Sequence, residues 1–179
     1  MSSLASSPSH HPTDVRTARL ILRPWGAADV TAVLDGSGTR SADWADDFPA
    51  EGDRLMAGLF AERPAWLGPY GHRLIVERAS GVLVGSVGLF WPPDEGVLEL
   101  GYGIVASRRG RGYATEAARA MAAYALTAPG VRAVSAGVEP PNPASVRVLE
   151  KAGFRYAGGT EDTVRYTFAT ARPERPTDG

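Results

Sequence analysis

The chain contains no cysteine. Disulfides, thiolate metal sites and a cysteine nucleophile that would carry an acyl group covalently are therefore excluded. It also lacks a surplus of either charge, with 19 Lys and Arg against 20 Asp and Glu and a formal net charge of −1. A nucleic-acid-binding domain usually carries a strong positive field, so no nucleic-acid partner is expected. No apolar run approaches the ~18 residues of a membrane span. The first residues lack the basic and apolar regions of a signal peptide, so no membrane partner and a cytoplasmic location are expected. Histidine is scarce, at 3 residues. Two of these, His10 and His11, are adjacent and have no other ligands beside them, so no metal site is expected.

What is present reads as one globular domain. Hydrophobic residues make up 44% and charged residues 22% of 179 positions, enough for a sizeable core. Residues 1–12, rich in Ser, Pro and His, and residues 171–179 read as disordered tails. The stretch 13–170 between them shows no repeat and no linker.

Residues 99–118 carry the strongest functional signal, as a strand, a short basic Gly-rich turn and an alanine-rich helix. A helix N-terminus offers backbone N–H groups without internal partners and the positive end of the helix dipole. Glycines before it let an anion approach the backbone closely. The string Gly101-Tyr102-Gly103-Ile104-Val105-Ala106 matches a dinucleotide fingerprint but lies inside a strand, well before the helix, so that reading fails. A phosphate loop fails too, because the turn ends in Gly112-Tyr113-Ala114 without lysine. The pattern Arg/Gln-x-x-Gly-x-Gly/Ala fits Arg109-Gly110-Arg111-Gly112-Tyr113-Ala114 in the right strand–turn–helix context. Arg108, Arg109 and Arg111 could also be a basic patch for nucleic acid, but their place at a Gly-rich helix start suits phosphates on a small cofactor better.

With this turn the sequence resembles the GNAT family of N-acetyltransferases, in particular the subgroup that includes the ribosomal-protein N-terminal acetyltransferases. Asn142-Pro143-Ala144-Ser145 followed by Glu150-Lys151-Ala152-Gly153-Phe154 is similar to a second family signature, and Thr17–Trp25 to its first strand. The resemblance implies acetyl-CoA as acyl donor, with no metal. It places the pyrophosphate on Arg109, Gly110, Arg111, Gly112, Tyr113, Ala114 and Thr115, and the pantetheine on the backbone of Ile104 and Val105. Asn142 would contact the cofactor or cap a helix, or both. The implied acceptor is an amine, on a small molecule or a protein N-terminus, and the implied assembly is a monomer or homodimer.

Along the chain, the patterns predict strands at 19–23, 72–78, 82–91, 97–105, 131–138, 154–158 and 163–169. Helices are predicted at 27–34, 52–63, 112–127 and 143–152. This order implies an α/β (α+β) fold, a single mixed and mostly antiparallel sheet of about six to seven strands flanked by helices. The resemblance adds a splayed central strand pair.

On the strand 97–105, alternation places Leu98, Leu100, Tyr102 and Ile104 on one face. Glu99, Gly101 and Gly103 share the other, where two glycines leave room for a substrate. An amine of pKa about 8–10 must lose a proton before attacking a thioester, and a carboxylate beside it is a suitable base. Glu99 is the candidate, with His72 and Glu77 as alternatives and a solvent-facing glutamate as the bland reading. The resemblance implies that the leaving thiolate takes a proton from Ser145, although capping in the first turn of a helix is the better reading of that residue. Glu116 reads as structural, and Ala117, Ala118, Met121 and Ala125 as core. The acidic stretch 43–53, with Trp44, Trp66, Tyr70 and Trp91, is either an acceptor surface or a solvated loop over core aromatics. The function expected is an acyl-CoA-dependent N-acyltransferase working by direct transfer. The alternative is a catalytically inactive CoA-binding sensor or interaction module.

Overall fold

The computed structural model describes residues 14–35 and 43–170. The expected tails at 1–12 and 171–179 lie outside the described residues. The strands are β1 (Val15–Arg16), β2 (Leu20–Pro24), β3 (Arg73–Glu77), β4 (Leu83–Leu89), β5 (Val97–Ile104), β6 (Ala133–Val138), β7 (Arg155–Gly159) and β8 (Val164–Phe168). The helices are α1 (Ala27–Asp35), α2 (Glu51–Leu59), α3 (Tyr113–Ala125) and α4 (Pro143–Ala152), with short 3-10 turns at Pro64–Leu67 and Ala106–Arg108.

All the strands join one 8-stranded sheet in the order β1-β2-β3-β4-β5-β6-β8-β7. The expected count of six to seven strands is therefore slightly low. The addition is β1, two residues long, paired with β2 through Val15↔Leu22 and Arg16↔Ile21. A strand this short has no periodicity of its own and exists only because β2 presents an open edge. The predicted helix at 52–63 also ends earlier, at Leu59, and the chain then tightens into the 3-10 turn begun by Pro64.

β5 pairs with β4 antiparallel over Leu100–Ile104 and with β6 parallel only over Val97–Glu99. Beyond Glu99 and Ser135 the two parallel strands part, although both continue. That divergence is the splayed pair. Leu98, Leu100 and Ile104 of β5 are buried, while Glu99 and Gly103 are exposed, as the alternation requires.

Helix α3 packs across β4 and β5. It buries Ala117, Ala118, Met121, Ala122 and Ala125 completely, and alanine is both a strong helix former and small enough to bring the helix close to the sheet. Helix α4 has local start and stop signals. The Asn142 side chain accepts from the Ser145 N–H at 3.1 Å, Pro143 fills the first turn, and Gly153 ends the helix in the left-handed conformation at φ +100°.

On the opposite face, His72 is buried to 5% exposure between the rings of Phe60, Trp66 and Phe90. Gly88 makes room for it, since a Cβ there would come within 1.9 Å of the imidazole Nδ1. Gly88→Ala is expected to overpack this site and lower stability by about 2 kcal/mol, or roughly 6 °C in Tm. An unchanged thermal unfolding curve would place the imidazole elsewhere.

Candidate active site

The divergence of β5 and β6 leads directly into the basic turn. Gly110 and Gly112 both adopt positive φ, +75° and +79°, so the turn's path depends on residues without Cβ strain. Gly112 is the residue before α3, and the first helical bond runs from the Glu116 N–H to its carbonyl at 3.1 Å. The N–H groups of Tyr113, Ala114 and Thr115 precede that bond and have no intrahelical acceptor. They line a concavity at the positive end of α3, an arrangement whose chemistry suits an anion.

The turn is held from three sides. Arg19 stacks on the Tyr113 ring at 4.9 Å, donates to the Arg111 carbonyl at 2.7 Å and pairs with Glu116 at 2.7 Å. Glu116 also accepts from the Thr17 hydroxyl at 2.6 Å and the Arg19 N–H at 2.8 Å. Burial raises its pKa, but these hydrogen bonds outweigh that and hold it below the usual glutamate value. Its structural reading is explained.

On the second side, Glu77 accepts from the hydroxyls of Ser80 at 2.5 Å and Tyr113 at 2.6 Å. Its carboxylate lies 3.8 Å from Arg108 and 4.0 Å from Arg111. The Ser80 and Tyr113 bonds, ahead of the arginine charges, lower its pKa from the usual glutamate value. Glu77 thus braces the turn. On the third side, Asp47 accepts from Ser107, from its N–H at 2.8 Å and its hydroxyl at 2.6 Å. One carboxylate of the acidic stretch is therefore a strap on the turn rather than part of a free acidic patch.

A cavity of about 550 Å³ runs from the end of β5 past this turn to α4. Of the sequence-predicted residues, it brings together Ile104 on the strand, Arg109, Gly110 and Gly112 in the turn, Tyr113, Ala114 and Thr115 on α3, and Asn142 and Ser145 on α4. Three predicted residues do not line it. Val105 is 1% exposed, its N–H donates to the Val84 carbonyl at 2.9 Å, and its carbonyl accepts from Arg108 at 3.0 Å. Arg111 lies outside the cavity, in reach of Glu77. Glu99 lies on the other face of β5 from Tyr102 and Ile104.

The lining also includes Arg108, which the sequence places among the arginines suited to phosphates, and Gly103, one of the two glycines that leave room on β5; the residues to which sequence reading gave no site role are Tyr102 on the strand and Arg147, Val148 and Lys151 on α4. The i, i+4 spacing of Arg147 and Lys151 was the available signal, because it places both on the helix face that carries Ala144. Tyr102 donates its hydroxyl to the Ser145 carbonyl at 3.4 Å, and burial raises its pKa, so the phenol keeps its proton at neutral pH. Ser145 serves its helix through the N–H that Asn142 caps.

The other face of β5 is partly open. Glu99 is exposed there. Gly103 has nothing within 4 Å of a would-be Cβ, so the strand is open at that point. Gly101 is covered, with the Phe90 ring 3.2 Å from its would-be Cβ. Across from Gly103, Ser86 donates to the buried Asp53 at 2.5 Å. Burial raises the Asp53 pKa against the opposing effect of that bond. Among the aromatics named from the sequence, Trp66 donates to the Trp91 carbonyl at 3.1 Å and Tyr70 stacks on Trp91 with centroids 5.5 Å apart. Trp44 packs edge-on against Phe48 at 5.0 Å. They pack against the core in the half-buried layer. Among the described residues no group of three or more His, Asp or Glu could hold a metal ion, and no helix is long and apolar enough to cross a membrane.

Comparison with known proteins gives a consistent result. Residues 19–155 match the family model of the GNAT acetyltransferase domain. The Bacillus subtilis protein YjcK, named a probable N-acetyltransferase, is 35% identical over 125 residues, covering 68% of each chain. YjdG, an uncharacterized N-acetyltransferase of the same bacterium, is 37% identical over 82 residues, 45% of this chain and 49% of that protein. The match therefore spans about half the length of YjdG. Among solved structures, a Vibrio cholerae protein assigned by name to the ribosomal-protein-serine acetyltransferases superposes with TM-score 0.62 at 19% identity, covering 87% of this chain and 97% of that one. The Salmonella typhimurium protein yncA, solved with its cofactor acetyl-CoA, gives TM-score 0.58 at 17% identity, covering 90% and 99%. At these identities the structures show the shared fold.

His72 gives this face of the sheet a pH signature. Burial lowers its pKa from the ordinary 6.5 to about 4, so the folded chain holds it neutral at neutral pH. The unfolded chain binds the extra proton first as pH falls, so this contribution to stability is full above about pH 6.5 and is lost on the way to about pH 4. Urea unfolding across that window is expected to show a decline approaching ~1.4 kcal/mol per pH unit, which shrinks in His72→Phe. An equal decline in the variant would assign it to other groups.

Proposed function

The chain belongs to the GNAT acetyltransferase family, and from that premise we propose that it transfers acetyl from acetyl-CoA directly to a primary amine in a ternary complex. The observation that carries this reading is the cavity itself. It joins the unpartnered N–H groups at the start of α3, the two positive-φ glycines and the open edge of β5 in one continuous space. The pyrophosphate of an acyl-CoA suits the N–H concavity at Gly110–Thr115. Its pantetheine suits the stretch of β5 that β6 leaves free, with Ile104 at one end and Asn142 across from it.

The chemistry follows from where the faces of β5 point. A thioester lying along the open strand edge is reachable from the Glu99 face at Gly103, where no side chain stands. An amine of pKa about 10 is almost entirely protonated at neutral pH, so a proton must leave before attack. In this reading Glu99, four residues and about 13 Å along the strand from Gly103, accepts that proton through intervening water. The nitrogen lone pair attacks the carbonyl carbon, the C–S bond breaks, and the CoA thiolate leaves. With a thiol pKa near 8.5 the thiolate needs little help, and the Tyr102 and Ser145 hydroxyls in the cavity are the protons at hand. The acceptor is an amine on a small molecule or on a protein N-terminus. The likeness to the Vibrio cholerae protein favours the ribosomal-protein subgroup only at the level of the fold. A cytoplasmic location and a monomeric or homodimeric state complete the reading.

Calorimetry with acetyl-CoA is expected to give one site per chain, with no heat from NAD. Absence of acetyl-CoA binding would overturn the function. In Glu99→Gln, turnover of an amine acceptor is expected to fall by about a hundredfold or more, with acetyl-CoA affinity unchanged. Unaltered turnover at every pH would remove Glu99 from the mechanism.

A further inference from the structure

If the cavity is an acyl-CoA site, the distribution of charge around it carries one step more. The charges of the turn's arginines are already offset in part by the protein. Arg108 and Arg111 stand 3.8 and 4.0 Å from the Glu77 carboxylate, and Arg109 donates to the Ile104 carbonyl at 3.1 Å. The pyrophosphate is left chiefly to backbone N–H groups.

Two further cations border the same cavity and are not engaged. Arg147 and Lys151 lie four residues apart on one face of α4, and both are exposed. Neither side chain makes an ion pair or hydrogen bond among the described residues. Like charges at this spacing repel and weaken a helix unless an anion lies between them.

A second cavity, of about 580 Å³, opens on the other flank of the first turns of α3. Within it Glu116 is neutralised by Arg19 at 2.7 Å, and Arg119 donates to the Lys151 carbonyl, fixing the end of α4 against α3. The two cavities share Gly112, Thr115 and Lys151. Lys151 is the cation at their junction.

We propose that Lys151, with Arg147 one turn before it, is the site for the ribose 3′-phosphate of CoA, which makes the protein selective for CoA over 3′-dephospho-CoA. A phosphomonoester carries close to two negative charges at neutral pH, separated from the pyrophosphate by one ribose. A nucleoside leaving the pyrophosphate at Gly110–Thr115 passes Lys151 whether it lies along α4 or enters the second cavity. Lysine suits this task because its ammonium is a point charge on a long flexible stem, able to follow an exposed phosphate.

The experiment is a calorimetric titration of the full chain at low salt with CoA and with 3′-dephospho-CoA. It uses wild type, Lys151→Met and the double variant Arg147→Met/Lys151→Met, each checked by thermal unfolding. Wild type is expected to prefer CoA by about tenfold, the strength of a charge-assisted contact at an exposed site. The preference is expected to shrink as salt is added. Lys151→Met should lose most of it, and the double variant the rest, with 3′-dephospho-CoA affinity unchanged within about twofold. Equal wild-type affinity for the two ligands would overturn the assignment, as would a preference that survives in the double variant. Failure of wild type to bind either ligand would instead refute the reading of the cavity.

Discussion

The site depends on one constraint: a turn of two positive-φ glycines must hold its shape at the mouth of a helix while leaving that helix's first N–H groups bare. Glycine permits the path but does not enforce it, since its entropy cost makes such a turn loose on its own. Enforcement comes from outside. The Glu116–Arg19 pair fixes one flank, the Glu77 carboxylate braces Tyr113 and two arginines on another, and Asp47 straps Ser107 on the third. Each of these contacts uses side-chain oxygens and cations, so none of them consumes the N–H groups of Tyr113–Thr115. The protein spends carboxylates to keep amides free.

The sheet provides the second half of the same arrangement. Three registered pairs join β5 to β6 before the strands part, and the remainder of β5 keeps its partner only on the β4 side. A strand edge exposed in mid-sheet is ordinarily a liability, because its N–H and C=O groups invite pairing. Here the edge faces a cavity shaped by α3 and α4, where an extended ligand rather than another strand can satisfy it. The two glycines on its far face then divide the work unequally. Gly103 leaves the strand open, whereas Gly101 lies beneath the Phe90 ring.

The parts of this design that were legible in the sequence are those set by neighbours in the chain. The Gly110–Gly112 turn, the capped α4 from Pro143 to Ala152 and the buried alanine stripe of α3 all announce themselves through local spacing. So does the alternation that separates Glu99 from Tyr102. The illegible parts are set by residues far apart in sequence. The two-residue β1, the bond from Ser107 to Asp47 sixty positions away and the seating of His72 against Gly88 have no local pattern. Glu77 shows the difference most clearly. Its residue type suggested a base, but tertiary contacts make it a brace for the turn. The acidic stretch behaves likewise, with Asp47 as a strap and Asp53 buried against Ser86.

Whether the free amides at the start of α3 hold a ligand's phosphates decides what the braced turn is for. Hydrogen–deuterium exchange of the full chain with and without acetyl-CoA measures this directly. Protection should appear at residues 104–115 and at the cavity-facing residues of α4, and should leave the surface of α2 unchanged. Protection on the α2 side without any at 104–115 would mean that the ligand binds elsewhere and that the braced turn serves only the fold.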